Sequence, residues 1–248
     1  MRQLFLLSLL TLTVGFSQAQ NLGTVVGVTT YDLQSNASSP NRIYVDDFGR
    51  IGVSWTGSLD FGSGWPDRGS FYNYFDGSNW GSPPTTRIES IRTGWPELVF
   101  SGSVETIVSH DPGGFGYCLV NSRVAGSGNA WTETVPTGVL PGIWPRATAT
   151  GSNMIHMINA NYQSAAGNNF VQYYRSPDAG TTWDIQQYRL PGIDTAGGYN
   201  IMSAEVYGIT AQQNKVAVVA AESVNDLAVW ISTSNGDIGT WTRTRILD

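Results

Sequence analysis

The 248-residue chain carries 13 basic and 19 acidic residues, a net charge of −6, and a single lysine, Lys215. No basic surface is available to track phosphates or anionic lipid, so nucleic acid is not expected as a partner. One cysteine, Cys118, forms no internal disulfide, and with His110 and His156 the only histidines there is no Cys/His cluster for zinc. Charged residues make up 13% while Gly (29), Trp (9) and Tyr (11) are plentiful, which suits short strands and turns and not long amphipathic helices.

In chain order, Arg2 precedes an apolar run from Leu4 to Phe16 and then Ser17-Gln18-Ala19. This is the pattern of a secretory signal peptide over residues 1–20, too short to span a bilayer, and an exported protein without a transmembrane segment is expected. Gly23 to Leu33 reads as an extended strand, followed by a polar loop over 34–41. A repeat then begins, marked by Trp80, Trp131, Trp183 and Trp241, spaced 51, 52 and 58 residues apart. A second mark, 34 to 38 residues before each Trp, is a charged residue opening a β-like run: Arg42, Glu97, Arg146 and Glu205. Each opener is followed by a turn and a second run. Four strands per repeat, four times over, is the signature of propeller blades, near residues 42–90, 91–139, 140–196 and 197–248.

The third repeat contains Ser176-Pro-Asp-Ala-Gly-Thr-Thr-Trp183. Asp178 can accept backbone N–H bonds across a tight turn, Gly180 can take a positive φ, and Trp183 can anchor the next strand. The pattern resembles the Asp-box of sialidase-like (BNR-repeat) β-propellers, and the stretch from Gly27 to Ala37 followed by Asn41-Arg42-Ile43 resembles the start of exported Bacteroidetes-type propeller proteins. The other three repeats keep the terminal Trp but match in part. The resemblance implies an all-β propeller domain over 21–248, of about four four-stranded blades, with the Asp-box turn between third and fourth strands and away from the substrate face. A propeller hides its edges by closing a ring. Two closures are open: a four-bladed ring completed by Gly23 to Leu33, or, as expected here, part of a larger six- or seven-bladed ring.

If the Asp-box turns lie at the bottom, the loops between second and third strands and those between blades emerge at the top. These are rich in aromatic and charged side chains. The expected ligand face comprises Trp65, Arg68, Arg92, Trp95 and Trp144, with the openers Arg42, Glu97, Arg146 and Glu205 around the channel mouth. The openers could grip a ligand, Arg being suited to carboxylates, or pair with one another to hold blades together.

The family's enzymes use an arginine trio, an Asp acid/base and a Tyr–Glu nucleophile. By the resemblance, Arg42 would be the first arginine, although Tyr44 stands where the family has proline. Asp60 or Asp67 would take the Asp role and Glu205 the Glu role. Where the second arginine belongs the chain has Ala220, Ala221 and Glu222. No cofactor and no metal is implied. His110-Asp111 reads as part of a turn, His156 as a core or channel residue and Cys118 as buried filler. The expectation is therefore an exported monomer that binds a glycan or an extracellular protein through its top face without catalysis. The alternative is a sialidase-type glycoside hydrolase whose remaining groups lie beyond residue 248.

Overall fold

The computed structural model of the protein describes residues 23–35, 38–111, 116, 118–136, 142–161, 170–193, 206–221 and 227–247. The expected leader, Glu205 and Glu222 lie outside the described residues. The described residues form strands and loops in four antiparallel sheets, each meandering from its first strand outward. The first holds β1 (Ile43–Val45), β2 (Ile51–Gly57) and β3 (Gly69–Phe75). The second holds β4 (Gly94–Ser101), β5 (Val104–His110), β6 (Cys118–Val124) and β7 (Thr132–Thr134). The third holds β8 (Ile143–Thr150), β9 (Met154–Asn161), β10 (Phe170–Ser176) and β11 (Ile185–Arg189). The fourth holds β12 (Tyr207–Gln212), β13 (Lys215–Ala221), β14 (Leu227–Ser232) and β15 (Trp241–Leu247).

Strand periodicity explains the stacking. Alternate residues point to opposite faces of a sheet, and the apolar sets meet between neighbouring sheets. Tyr72, Leu98 and Ile107 fill the space between the first and second sheets. Val99, Val108, Val120, Ile155 and Met157 fill the next. Ile158, Tyr173, Val216, Val218 and Trp230 fill the last, with Trp230 and Tyr173 fully buried. The first strands β4, β8 and β12 pack side by side, with β2 beside β4. The four sheets form an open array, with no strand pairing among the described residues that joins the first to the last.

Two expectations are corrected. The first sheet has three strands and only an isolated bridge, Phe75 to Trp80, where a fourth would lie. Its Trp-bearing turn is one residue shorter than the Ser176 turn, and the chain pairs just once before leaving. The segment Gly23 to Leu33 is not a strand and does not complete the fourth sheet. It lies on the first: Asn73 Nδ2 donates to Val26 O (2.6 Å) and Thr30 N to Ser58 O (2.8 Å). Much of its hydrogen bonding goes to side chains instead of a ladder, and Gly27 passes so close to Trp55 that a Cβ would lie 2.2 Å from the indole.

The Ser176 turn joins β10 to β11. Ser176 Oγ accepts from Gly180 N (2.7 Å) and Asp178 Oδ1 from Thr182 N (2.7 Å), while Gly180 takes φ +93°. The fourth sheet repeats the geometry without an Asp: Ser232 Oγ accepts from Gly236 N (3.0 Å), and Trp241 packs edge-on against Tyr173. The serine and the left-handed glycine therefore suffice to set this turn.

Candidate functional site

Strand direction sorts the loops. Ser176 pairs with Ile155 and Thr150 with Met154, so the turns after β8 and β10 share one end of the third sheet, here the lower end. At the other end, Gly94 pairs with His110 and His110 with Cys118, and Gly57 pairs with Gly69. Trp65, Arg68, Arg92, Trp95 and Trp144 belong to the loops and strand starts of this upper end.

Trp65, Trp95 and Trp144 have φ of +43°, +54° and +50°, and each precedes a proline. A bulky residue in the left-handed region is strained, and a following proline narrows its options further. The register breaks between Gly94 and Glu97 and between Ile143 and Arg146, so two of the Trp-Pro pairs are bulges in β4 and β8. A bulge re-aims the side chains of the strand it interrupts. Long-range bonds hold these conformations. Trp95 N donates to Thr56 Oγ1 (3.1 Å), Trp65 O accepts from Arg92 Nε (3.0 Å), and Trp144 O accepts from the Tyr207 hydroxyl (2.6 Å).

The rings join into one row. Trp65 meets Tyr31 at 5.1 Å between centroids, Tyr31 meets Trp95 at 6.3 Å, Trp95 stacks on His110 at 5.1 Å, and His110 meets Trp144 at 6.0 Å. Arg68 is inserted into it, its guanidinium 4.8 Å from the Tyr31 ring and 5.1 Å from the Trp95 ring. Arg68 Nε donates to Thr93 O (2.9 Å), whereas buried Nη2 has no hydrogen-bond partner among the described residues. His110 Nδ1 and Trp95 Nε1 are likewise buried without one. Polar groups buried in this state are costly, which makes the row a place where the fold gives up stability.

Burial, reinforced by Arg68 and Arg146, pushes the His110 imidazole down to about 3, so it is neutral and offers its ring face. Burial also lowers Arg68 below the usual arginine range, with Arg92 contributing in the same direction. Glu97 is pushed up to about 8 by burial, against the opposing pull of Arg146, the backbone N–H groups of Asn41 and Ala147, and Arg42. Asn41 N donates to Glu97 Oε2 (2.8 Å), and Arg146 Nη2 donates to Ser38 O (2.8 Å). Glu97 and Arg146 thus sit below the row, tying the 38–41 segment to β4 and β8.

Of the residues singled out in the sequence, the structure brings Trp65, Arg68, Arg92, Trp95 and Trp144 together, with Glu97 and Arg146 buried beneath them. Arg42 reaches Gln34 instead, through Oε1 (3.3 Å) and the main-chain carbonyl. Asp60 is exposed and accepts from Gly62 N within its own loop. Asp67 braces the same loop: burial would raise its carboxyl, but bonds from Ser58, Leu59 and Asp60 outweigh this and lower it. A carboxyl held ionised in this way is poorly suited to donate a proton. Sequence reasoning missed Tyr31, placed there in a strand, and His110, placed there in a turn; His110 is the last residue of β5, opposite Gly94. An aromatic or His at the upper end of a second strand, opposite a Trp-Pro pair, was the available signal. Cys118 is buried, its thiol pushed up to about 12 by burial, and His156 is bonded to Thr150 and Tyr173.

No protein-family model matches the chain, and no curated protein sequence matches it. Solved structures do. A polysaccharide lyase, the PL25 ulvan lyase bound to a GlcA(1-4)Rha3S glycan, superposes with a TM-score of 0.53 at 12% identity, covering 82% of this chain and 54% of that one. The Aleuria aurantia lectin with α-methyl-L-fucoside gives 0.51 at 12%, covering 83% and 60%. The NanB sialidase from Streptococcus pneumoniae gives 0.51 at 10%, covering 83% and 51%. The chain spans about half the length of these proteins. At such identities the likeness concerns architecture alone: four antiparallel sheets in a β-propeller arrangement, shared by sialidases, lectins and lyases.

Proposed function

We propose that the chain is an exported β-propeller protein that binds a glycan through the upper ends of its sheets and is not catalytic as it stands. The observation that carries this reading is the gathering of three strained tryptophans in one aromatic row into which Arg68 is inserted. Backbone strain held in place by long-range bonds marks sites shaped for a ligand, and aromatic faces with a few aimed polar groups are what a sugar-binding surface requires. The lectin, lyase and sialidase with similar architecture all act on or bind carbohydrate, which favours a glycan over a protein ligand. A glycan array with the wild-type protein and the Trp95→Ala and Trp144→Ala variants tests it. Signal reduced by these changes is expected, and signal untouched by both would remove this face from consideration.

A second reading, a sialidase-type hydrolase using Glu205 and groups beyond residue 248, is favoured by the sialidase among the similar structures. Release of sialic acid from a fluorogenic substrate would establish it and overturn the non-catalytic reading.

A further inference from the structure

The three Trp-Pro pairs come from three different sheets: Trp65 from the β2–β3 loop of the first, Trp95 from the start of the second, Trp144 from the start of the third. The row they belong to therefore runs across sheets and does not line one pocket in one sheet. Burial divides the row. Trp95, Tyr31 and His110 are buried supports, while Trp65 and Trp144 are half-buried. The two more accessible platforms thus belong to the first and third sheets, with Tyr31, Trp95 and His110 between them in the row.

Charge along the row is also uneven. In a chain of net charge −6, Arg68, Arg92 and Arg146 lie at or beneath it. Arg68 is 4% exposed with Nη2 lacking a hydrogen-bond partner among the described residues. The nearby acids are largely committed: Glu97 to Asn41, Asp67 to Ser58, Leu59 and Asp60, Glu89 to Ser70 and Ser109, and Asp60 to Gly62. Asp111 acts on Arg68 from the same end but is outnumbered. A buried guanidinium with no carboxylate bonded to it leaves positive potential under this face, which favours an acidic ligand above it.

We infer that this face takes a linear acidic oligosaccharide laid across three successive sheets, not a single terminal sugar. The inference rests on the glycan reading above and specifies its ligand. Trp65 and Trp144 stack sugars toward the two ends, and the half-buried Arg92 receives a carboxylate or sulfate group, with the buried charge of Arg68 beneath the face.

The test is an array carrying linear uronide and sulfated chains of one to six sugars, their carboxyl-reduced or desulfated counterparts, and branched glycans with diverse terminal sugars. Signal should rise with length on the acidic chains and fall as salt is raised. Trp65→Ala and Trp144→Ala should each weaken binding of the longest chains roughly tenfold, the worth of one aromatic contact, while changing the shortest by less than about twofold. Should either alanine variant fail to fold, as shown by melting, Trp144→Phe and Arg92→Gln serve instead. The first should keep most of the length dependence, and the second should narrow the gap between acidic and neutral chains. Signal confined to terminal sugars, with no gain from length, would overturn the inference and leave the glycan reading standing. Preference for the neutral chains would overturn its acidic part. Absence of signal on every glycan would overturn both.

Discussion

The two ends of the same sheets are built by different rules. At the lower end, polar groups are met within a few residues: Ser176 by Gly180, Asp178 by Thr182, Ser232 by Gly236. At the upper end, Trp95 is held by Thr56, Trp144 by Tyr207 and Arg92 by the Trp65 carbonyl, and several buried donors are left unmet. The lower end spends its hydrogen bonds on stability. Left-handed backbone and unmatched buried atoms also occur below, at Ala179, Asn235, Ser101 Oγ and Trp183 Nε1, but at the upper end they coincide with a row of aromatic rings and an arginine, which a ligand can use. Substitutions in the lower turns should therefore cost stability without touching binding, and substitution of half-buried Trp65 above should mainly touch binding.

The largest effect is expected low in the second sheet, where buried Glu105 accepts from the Tyr72 hydroxyl and from Arg123 Nε (2.5 Å). Glu105→Ala strands the partly buried Arg123 and should cost about 3–5 kcal/mol in denaturant unfolding. A loss under 1 kcal/mol would mean that this network is not part of the lower end's stability. Next comes pH. His110 is neutral in the folded protein down to about 3, against an ordinary value of 6.5. Its contribution is full above pH 6.5 and is lost as pH falls from there through the folded value, at most about 5 kcal/mol in all. His156, pushed down to about 4 by burial, adds to the same acid-side loss. Glu97, raised to about 8, acts oppositely: its contribution is complete below 4.5 and lost as pH rises through 8. Melting curves of His110→Gln should show a shallower acid limb than wild type, and those of Glu97→Gln a shallower alkaline limb. Unchanged limbs would contradict these buried states.

Gly180→Ala comes third. At φ +93° a Cβ is strained and would lie 2.8 Å from Val120 Cγ1, so a loss of about 1–3 kcal/mol is expected with glycan binding intact. The smallest effect on stability should be Trp65→Gly. Relief of left-handed strain offsets lost contact at a half-buried site, leaving a net change within about 1 kcal/mol, while glycan binding falls. A variant that is strongly destabilised, or that still binds as wild type, would break the contrast between the ends.

This contrast also explains what could be read from the chain. The Ser176 turn was legible because its geometry is set inside eight residues, and the tryptophan spacing was legible because the third and fourth sheets each place a Trp after a turn of this kind. The first sheet departed from the pattern at Trp80, where a one-residue shortening left a single bridge. Gly23 to Leu33 carries β-branched residues that read as a strand, but its partners are the Asn73 amide and the Trp55 ring, 27 or more residues away and invisible to local pattern. Strand parity placed the tryptophans and arginines at one end. It could not find His110 or Tyr31, whose roles arise from rings brought together across sheets, nor the left-handed backbone before three prolines. Asp67 looked available for chemistry by position, and only the folded loop shows its oxygens taken by Ser58, Leu59 and Asp60.

The central claim, that the binding face lies opposite the Ser176 turn, is tested most directly by hydrogen exchange with and without the glycan that gives the strongest array signal. Slowed exchange is predicted in the peptides containing Trp65 to Arg68, Arg92 to Glu97 and Ile143 to Arg146, with Ser176 to Trp183 and Ser232 to Trp241 unchanged. Protection confined to the two lower turns, or spread evenly over both ends, would contradict it.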